Sequence, residues 1–279
     1  MKKHSKSAGS QADFSHPLNR GLEAWWLFSE AGGKGVRDLS PNGHHLTETN
    51  TSSVVSKWIS GAGGGYAYYT PGDIDSSLQC IAKKTVTGTY TVAGWVFLSA
   101  LTGTTHTFFS TRDTYNLIDI KIADTGGGLL HGDIGGSTGG WIDTGVDAAI
   151  PGGATLNKWH HVAYVVSASG ADIYWDGSLI GTKSFGLNSN PPDLMVKGYQ
   201  VNLAGSGSLG EPYTTGAVDD FRLFSRLLSA GEVRQLYTEP YVGLLQPSTA
   251  RIYIAAAGGA ANWLKQGYWW NQSYGTMPR

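Results

Sequence analysis

The chain has a single cysteine, Cys80, so no internal disulfide can form. A reducing compartment is the expected place of maturation. Charge is scarce: Asp, Glu, Lys and Arg make up 15% of the residues, against about 25% in an average soluble domain. The charge that is present balances, with 20 Lys and Arg against 21 Asp and Glu. That argues against a nucleic-acid partner, which needs a basic excess to displace counterions. No stretch approaches the roughly 18 consecutive apolar residues of a membrane-spanning helix. The opening Met1-Lys2-Lys3-His4 is basic, as a secretion signal is, but no apolar stretch follows it. Export by the general secretory route is therefore not expected. Heptads and fixed-period repeats are also missing, which argues against a fibrous shaft.

Glycine and aromatic residues are abundant. Glycine accounts for 40 of 279 residues, and Trp and Tyr add 10 and 14. This is the composition of many short strands joined by tight turns. Aromatic and β-branched runs place strands over 22–28, 66–69, 90–98, 117–123, 159–167, 171–175 and 216–224. In Thr91-Val92-Ala93-Gly94-Trp95-Val96-Phe97 both alternate faces are apolar, as in a strand covered on both sides. Asp176-Gly177 between two such runs predicts a type I′ hairpin turn. Ser229 with Glu232 three residues on forms a capping box, and Val233, Leu236 and Tyr237 share one face of the helix that follows. Pro240 ends it. The expected organisation is a flexible basic arm over 1–17, a sandwich over 18–240 and an aromatic-rich extension over 241–279, with one more strand possible over 251–255.

Several segments together resemble the LamG-like jelly-roll domains of the concanavalin A-like lectin/glucanase superfamily. Gly21-Leu22-Glu23-Ala24-Trp25-Trp26-Leu27-Phe28 is similar to the family's first strand. Asp38-Leu39-Ser40-Pro41-Asn42-Gly43 is similar to its first turn, with Pro41 where Gly is usual. Tyr90–Val96, Trp159-His160-His161-Val162-Ala163, Tyr174-Trp175-Asp176-Gly177 and Gly216–Arg226 follow in the family's order. The resemblance implies an all-β fold, a two-sheet antiparallel jelly-roll sandwich with one short C-terminal helix. It also implies a structural calcium ion held by Asp38 and Asp219, with the turn around Asn42 as carbonyl donor. The alternative is that Asp38 caps its own turn.

The glucanase branch of that superfamily sets its carboxylates on one strand as Glu-x-Asp-x-x-Glu, and no such pattern occurs here. Asp133 has no acidic residue at even spacing, and Asp219 and Asp220 point to opposite faces if extended. A non-catalytic protein is expected. His160 and His161 likewise point apart in a strand, and His44-His45 has no third ligand nearby, so zinc is not expected. Sugar binding in such folds rests on exposed aromatic faces beside polar loops. Trp141, flanked by Gly139-Gly140 and Asp143, is the leading candidate, with Tyr115 and Tyr213 behind it. Trp95, Trp159 and Trp175 are read as core.

The expected function is a phage virion accessory protein, a head decoration made in the host cytoplasm and displaying a glycan-binding domain. The arm and the aromatic extension would lie along other virion subunits, leaving the sandwich to meet cell-surface or mucus glycans. The alternative is a bacterial or environmental carbohydrate-binding module acting outside the cell, and a glucanase-like hydrolase is the third reading.

Overall fold

The structure, a computed structural model, describes residues 6–7, 9–50, 57–72, 76–81, 86, 88–103, 105–111, 118–124, 128–135, 141–185, 200–203 and 214–245. The candidates Tyr115 and Tyr213, and the strand read at 251–255, lie outside these residues.

Two antiparallel sheets form a sandwich. The first runs, edge to edge, through Ser178–Ser184, Gly170–Trp175, Trp159–Ser167, Tyr90–Leu98, Thr215–Phe224, Tyr66–Pro71 and Lys57–Ser60, with Leu22–Trp26 also paired to Thr215–Phe224. The second runs through Trp141–Asp143, Leu129–Gly135, Ile118–Ala123, Thr105–Ser110, Gln200–Leu203, Ser76–Ile81, Leu46–Asn50 and Gly35–Val36, with Ala148–Ala149 paired to Leu129–Gly135.

Alternation decides which side chains meet between the sheets. From the first sheet come Val92, Val96, Val162, Tyr164 and Val218; from the second come Leu78, Phe109, Ile118, Ile120, Ile122, Leu130 and Ile134. Gly94 leaves room for a core ring on the neighbouring strand, because a Cβ there would sit 2.3 Å from the ring of Phe221. The first sheet is also covered on its outer face. There Trp25, Ala93, Ala163, Val165 and Tyr174 pack under Ala12, Leu18, Val233, Leu236, Tyr241 and Leu244. This second layer is why both faces of Tyr90–Leu98 are apolar.

The hairpin turn has both Asp176 and Gly177 at positive φ, 48° and 72°, as type I′ geometry requires. The helix spans Ala230–Thr238 with Ser229 as N-cap and the capping box formed on both sides. His160 and His161 do point apart. His160 stacks on Trp175 and pairs with Asp176, whereas His161 faces Trp95 and Tyr237.

Three expectations are corrected. The first is the flexible arm. Lys6 is buried, Ala12 is in the core and bridges to Leu244, and the N–H of Asp13 donates to the carbonyl of Gly243 at 2.7 Å. These residues cover apolar surface of the first sheet, so they belong to the sandwich. The second is the boundary at residue 240. The compact unit runs from Met1 to Leu244 and the second unit from Leu245 to Arg279, because Tyr241, Val242 and Leu244 bury their side chains beside the helix. The third is the separation of Asp219 and Asp220 onto opposite faces. Asp220 has φ 47°, and the pairing with Tyr90–Leu98 shifts register between Asp219 and Arg222. This bulge lets both carboxylates engage the same residue: Tyr241 donates its O–H to Asp219 and its N–H to Asp220.

Candidate functional site

Ile118, Ile120 and Ile122 point into the core, so Asp119 and Lys121 between them face outward from the second sheet. On the antiparallel neighbour, Leu130 and Ile134 point in, and His131 and Asp133 point out. The register sets Asp133 opposite Asp119 and His131 opposite Lys121.

A continuous polar row results. Ser110 donates to Asp119 at 2.5 Å. The Nζ of Lys121 donates to Asp133 at 2.9 Å and lies 3.4 Å from Asp119. The Nε2 of His131 lies 3.2 Å from Asp133, and its Nδ1 lies 2.6 Å from Asp147. With a carboxylate at each ring nitrogen, the imidazolium is favoured. The hydrogen bond to Asp133 leads in raising the His131 pKa, against the opposing effect of burial. Burial pushes Asp133 up, but hydrogen bonds from His131 and Lys121 outweigh it and hold its pKa below the usual carboxylate range. Asp119, Lys121 and Asp133 are buried, while His131 is half-buried and Asp147 exposed, so the row opens to solvent at the His131–Asp147 end.

Trp141 is half-exposed and lies opposite Gly135, two residues along the strand from Asp133. The leading aromatic candidate thus belongs to the strand pair that carries His131 and Asp133. The sequence reading missed Asp119, Lys121, His131 and Asp147. The available signal was the alternation Ile-Asp-Ile-Lys-Ile, in which every second residue of a core strand is charged.

The residues expected to hold calcium do not fit it. The carboxylate of Asp38 accepts hydrogen bonds from the backbone of Trp25, Ser40 and His44, each at 2.8 Å, and from the Ser40 hydroxyl at 2.6 Å. Asn42 turns its amide NH₂ to the backbone and carboxylate oxygens of Glu23, both at 2.9 Å. Asp219 is taken by Lys6, Tyr241 and the backbone N–H of Ala62. Donors surround the oxygens that a hard cation would need. The turn-capping alternative is what Asp38 performs, and among the described residues no group of three or more His, Cys, Asp or Glu is placed to hold a metal.

A family model described as the concanavalin A-like lectin/glucanases superfamily matches residues 64–234, more than half of the chain. This chain belongs to that superfamily. The matched part contains Trp141 and the whole polar row, whereas Asp38 and Asn42 fall before it. Three solved structures show the same superfamily fold. The binding domain of Paraclostridial Mosquitocidal Protein 1 is 16% identical, with a TM-score of 0.60 over 79% of this chain and 52% of that one. Domain 4 of AbnA, a GH43 extracellular arabinanase from Geobacillus stearothermophilus, in complex with arabinotriose, is 20% identical, with a TM-score of 0.51 over 77% of this chain and 98% of that one. The binding domain of Botulinum Neurotoxin DC in complex with SialylT is 12% identical, with a TM-score of 0.56 over 79% of this chain and 52% of that one. The chain thus spans about half the length of the two toxin structures. A search of curated protein sequences finds no match.

Proposed function

We propose that this chain is a non-catalytic glycan-binding module whose site lies along Leu129–Gly135, from the solvent end of the polar row at His131 and Asp147 to Trp141, which pairs with Gly135. The observation that carries the reading is that row itself. At its open end His131 and Asp147, anchored through Asp133 to the buried part of the row, are preorganised partners for sugar hydroxyls. The half-exposed indole of Trp141, paired with Gly135 four residues along the strand from His131, supplies an apolar face on which a sugar ring stacks. The arabinanase domain and the neurotoxin domain, both of this fold, are described in complex with arabinotriose and SialylT, which supports the reading.

The charges of the row support binding rather than hydrolysis. A glycosidase needs one carboxyl kept protonated as general acid, with its pKa raised. Asp133 is held the other way, by Lys121 and His131. The finer setting we propose is the surface of a phage particle, with residues 247–279 as the attachment segment, since the N-terminal segment is occupied by its own sandwich.

Titration of the full chain with arabinotriose and with a sialylated oligosaccharide tests the site. At least one should bind, and Trp141→Ala should weaken it about tenfold, which is ~1.4 kcal/mol. Absence of binding to both, or binding that Trp141→Ala leaves intact, would overturn the assignment.

A further inference from the structure

Lys6 lies near the start of the chain, yet its side chain is fully buried. Its Nζ donates to the carbonyl oxygen of Leu27 at 3.0 Å and to Oδ1 of Asp219. It also lies 4.7 Å from the centre of the Tyr241 ring. The other oxygen of Asp219 accepts the N–H of Ala62 and the O–H of Tyr241, both at 2.9 Å.

The surroundings are shaped to this side chain. A Cβ on Gly65 would fall 2.8 Å from Cγ and 2.9 Å from Cε of Lys6, and one on Gly61 would fall 2.4 Å from Oδ2 of Asp219. The run Gly61-Ala62-Gly63-Gly64-Gly65 therefore leaves space for the lysine stem and for the carboxylate that receives it. A buried carboxylate alone costs several kcal/mol. A primary ammonium answers it here with three donors and a charge that suits an aromatic face.

We propose that Asp219, the Leu27 carbonyl and the Tyr241 ring form a receptor site for a primary alkylammonium, filled in cis by Lys6, so that the chain supplies its own cation where its fold family implies a metal. Calcium needs six to eight oxygen ligands. This site turns two oxygens and a π face toward its cation, and the remaining carboxylate oxygen is held by N–H and O–H donors. The site fastens the N-terminal segment to the bulge of Thr215–Phe224 and to the segment after the helix.

Chemical rescue tests this in the full-length chain. Lys6→Ala leaves a stem-shaped space and an unanswered carboxylate, and should lower the melting temperature by about 10 °C. Added n-butylammonium should restore about a third or more of that loss, whereas n-butanol and calcium should restore none, and EDTA should not move the wild-type melt. If Lys6→Ala does not fold unaided, the same additions are read as recovery of near-ultraviolet circular dichroism on refolding. A Lys6→Met, Asp219→Asn double variant, with neither charge, should be more stable than Lys6→Met alone. A Lys6→Ala melt equal to wild type, a rescue by calcium, or no rescue by butylammonium would each overturn the proposal.

Discussion

His161 shows how one buried residue couples this fold to pH. Its ring packs edge-on against Trp95, with centres 5.4 Å apart, and lies 6.4 Å from Tyr237. Its Nδ1 has no hydrogen-bond partner among the described residues. Burial pushes its pKa down to about 4, with Asp220 opposing and Arg222 assisting. The folded value is below the unfolded one of about 6.5. The unfolded chain therefore takes up the proton first, and stability present above pH ~6.5 is lost as pH falls toward about 4. The loss amounts to about 3 kcal/mol. Asp219 acts in the opposite sense, because burial raises its pKa against the pull of Lys6. The clean measurement is thus a difference between variants. In calorimetric melts at pH 7 and pH 4.5, His161→Phe should lose about 2–3 kcal/mol less than wild type on acidification. Parallel profiles would show that His161 does not carry this dependence. At this scale the sequence was readable where one side chain dictates its own surroundings, as with the opposed His160 and His161 and the buried Trp95 and Trp175, although Trp159, read as core with them, is only half-buried. It was not readable where a distant partner decides, as with Lys6 and Asp219, which are 213 positions apart.

Elements were legible in proportion to how local their causes are. The hairpin at Asp176-Gly177 and the helix with its capping box are set by neighbouring residues, and both formed where the sequence placed them. Most strands of the first sheet were visible because they are apolar on one or both faces, although Lys57–Ser60 was missed. In the second sheet Leu46–Asn50, Ser76–Ile81, Thr105–Ser110 and Leu129–Gly135 were missed as well. Their Ser, Thr, His, Asp and Gly residues depress any apolar pattern. For Leu129–Gly135 the cause is the polar row itself, so the strand that carries the candidate site was the hardest to see. The helix is nine residues long, too short to persist without caps and packing. Ser229→Ala should therefore cost about 1 kcal/mol, or roughly 2–4 °C in a thermal melt. Ser229→Asp should cost almost nothing, since Asp caps as well as Ser. Equal losses for the two variants would mean that the cap hydrogen bond is not what matters.

The two ends of the whole molecule should answer deletion in opposite ways. The N-terminal segment contributes the Lys6–Asp219 pair, the Ala12–Leu244 bridge and the burial of Ala12. Removing it strips cover from the outer face of the first sheet and leaves Asp219 buried without its cation. Loss of one partner of a buried pair costs about 3–5 kcal/mol, to which the lost apolar burial adds. The compact unit ends at Leu244, and residues 245–279 are counted as a second unit. Its aromatic density, with Trp263, Tyr268, Trp269, Trp270 and Tyr274 in twelve residues, suits it to burial against a partner. Deleting 1–17 should therefore lower the melting temperature by 10 °C or more, whereas deleting 247–279 should leave both the melt and glycan binding unchanged. If the chain decorates a phage particle, the 247–279 deletion should abolish incorporation while the sandwich stays folded. A 1–17 deletion that melts like the full chain would remove the N-terminal segment from the fold. Truncation at 246 that decorates particles as well as full length would remove the attachment role from the C-terminal one.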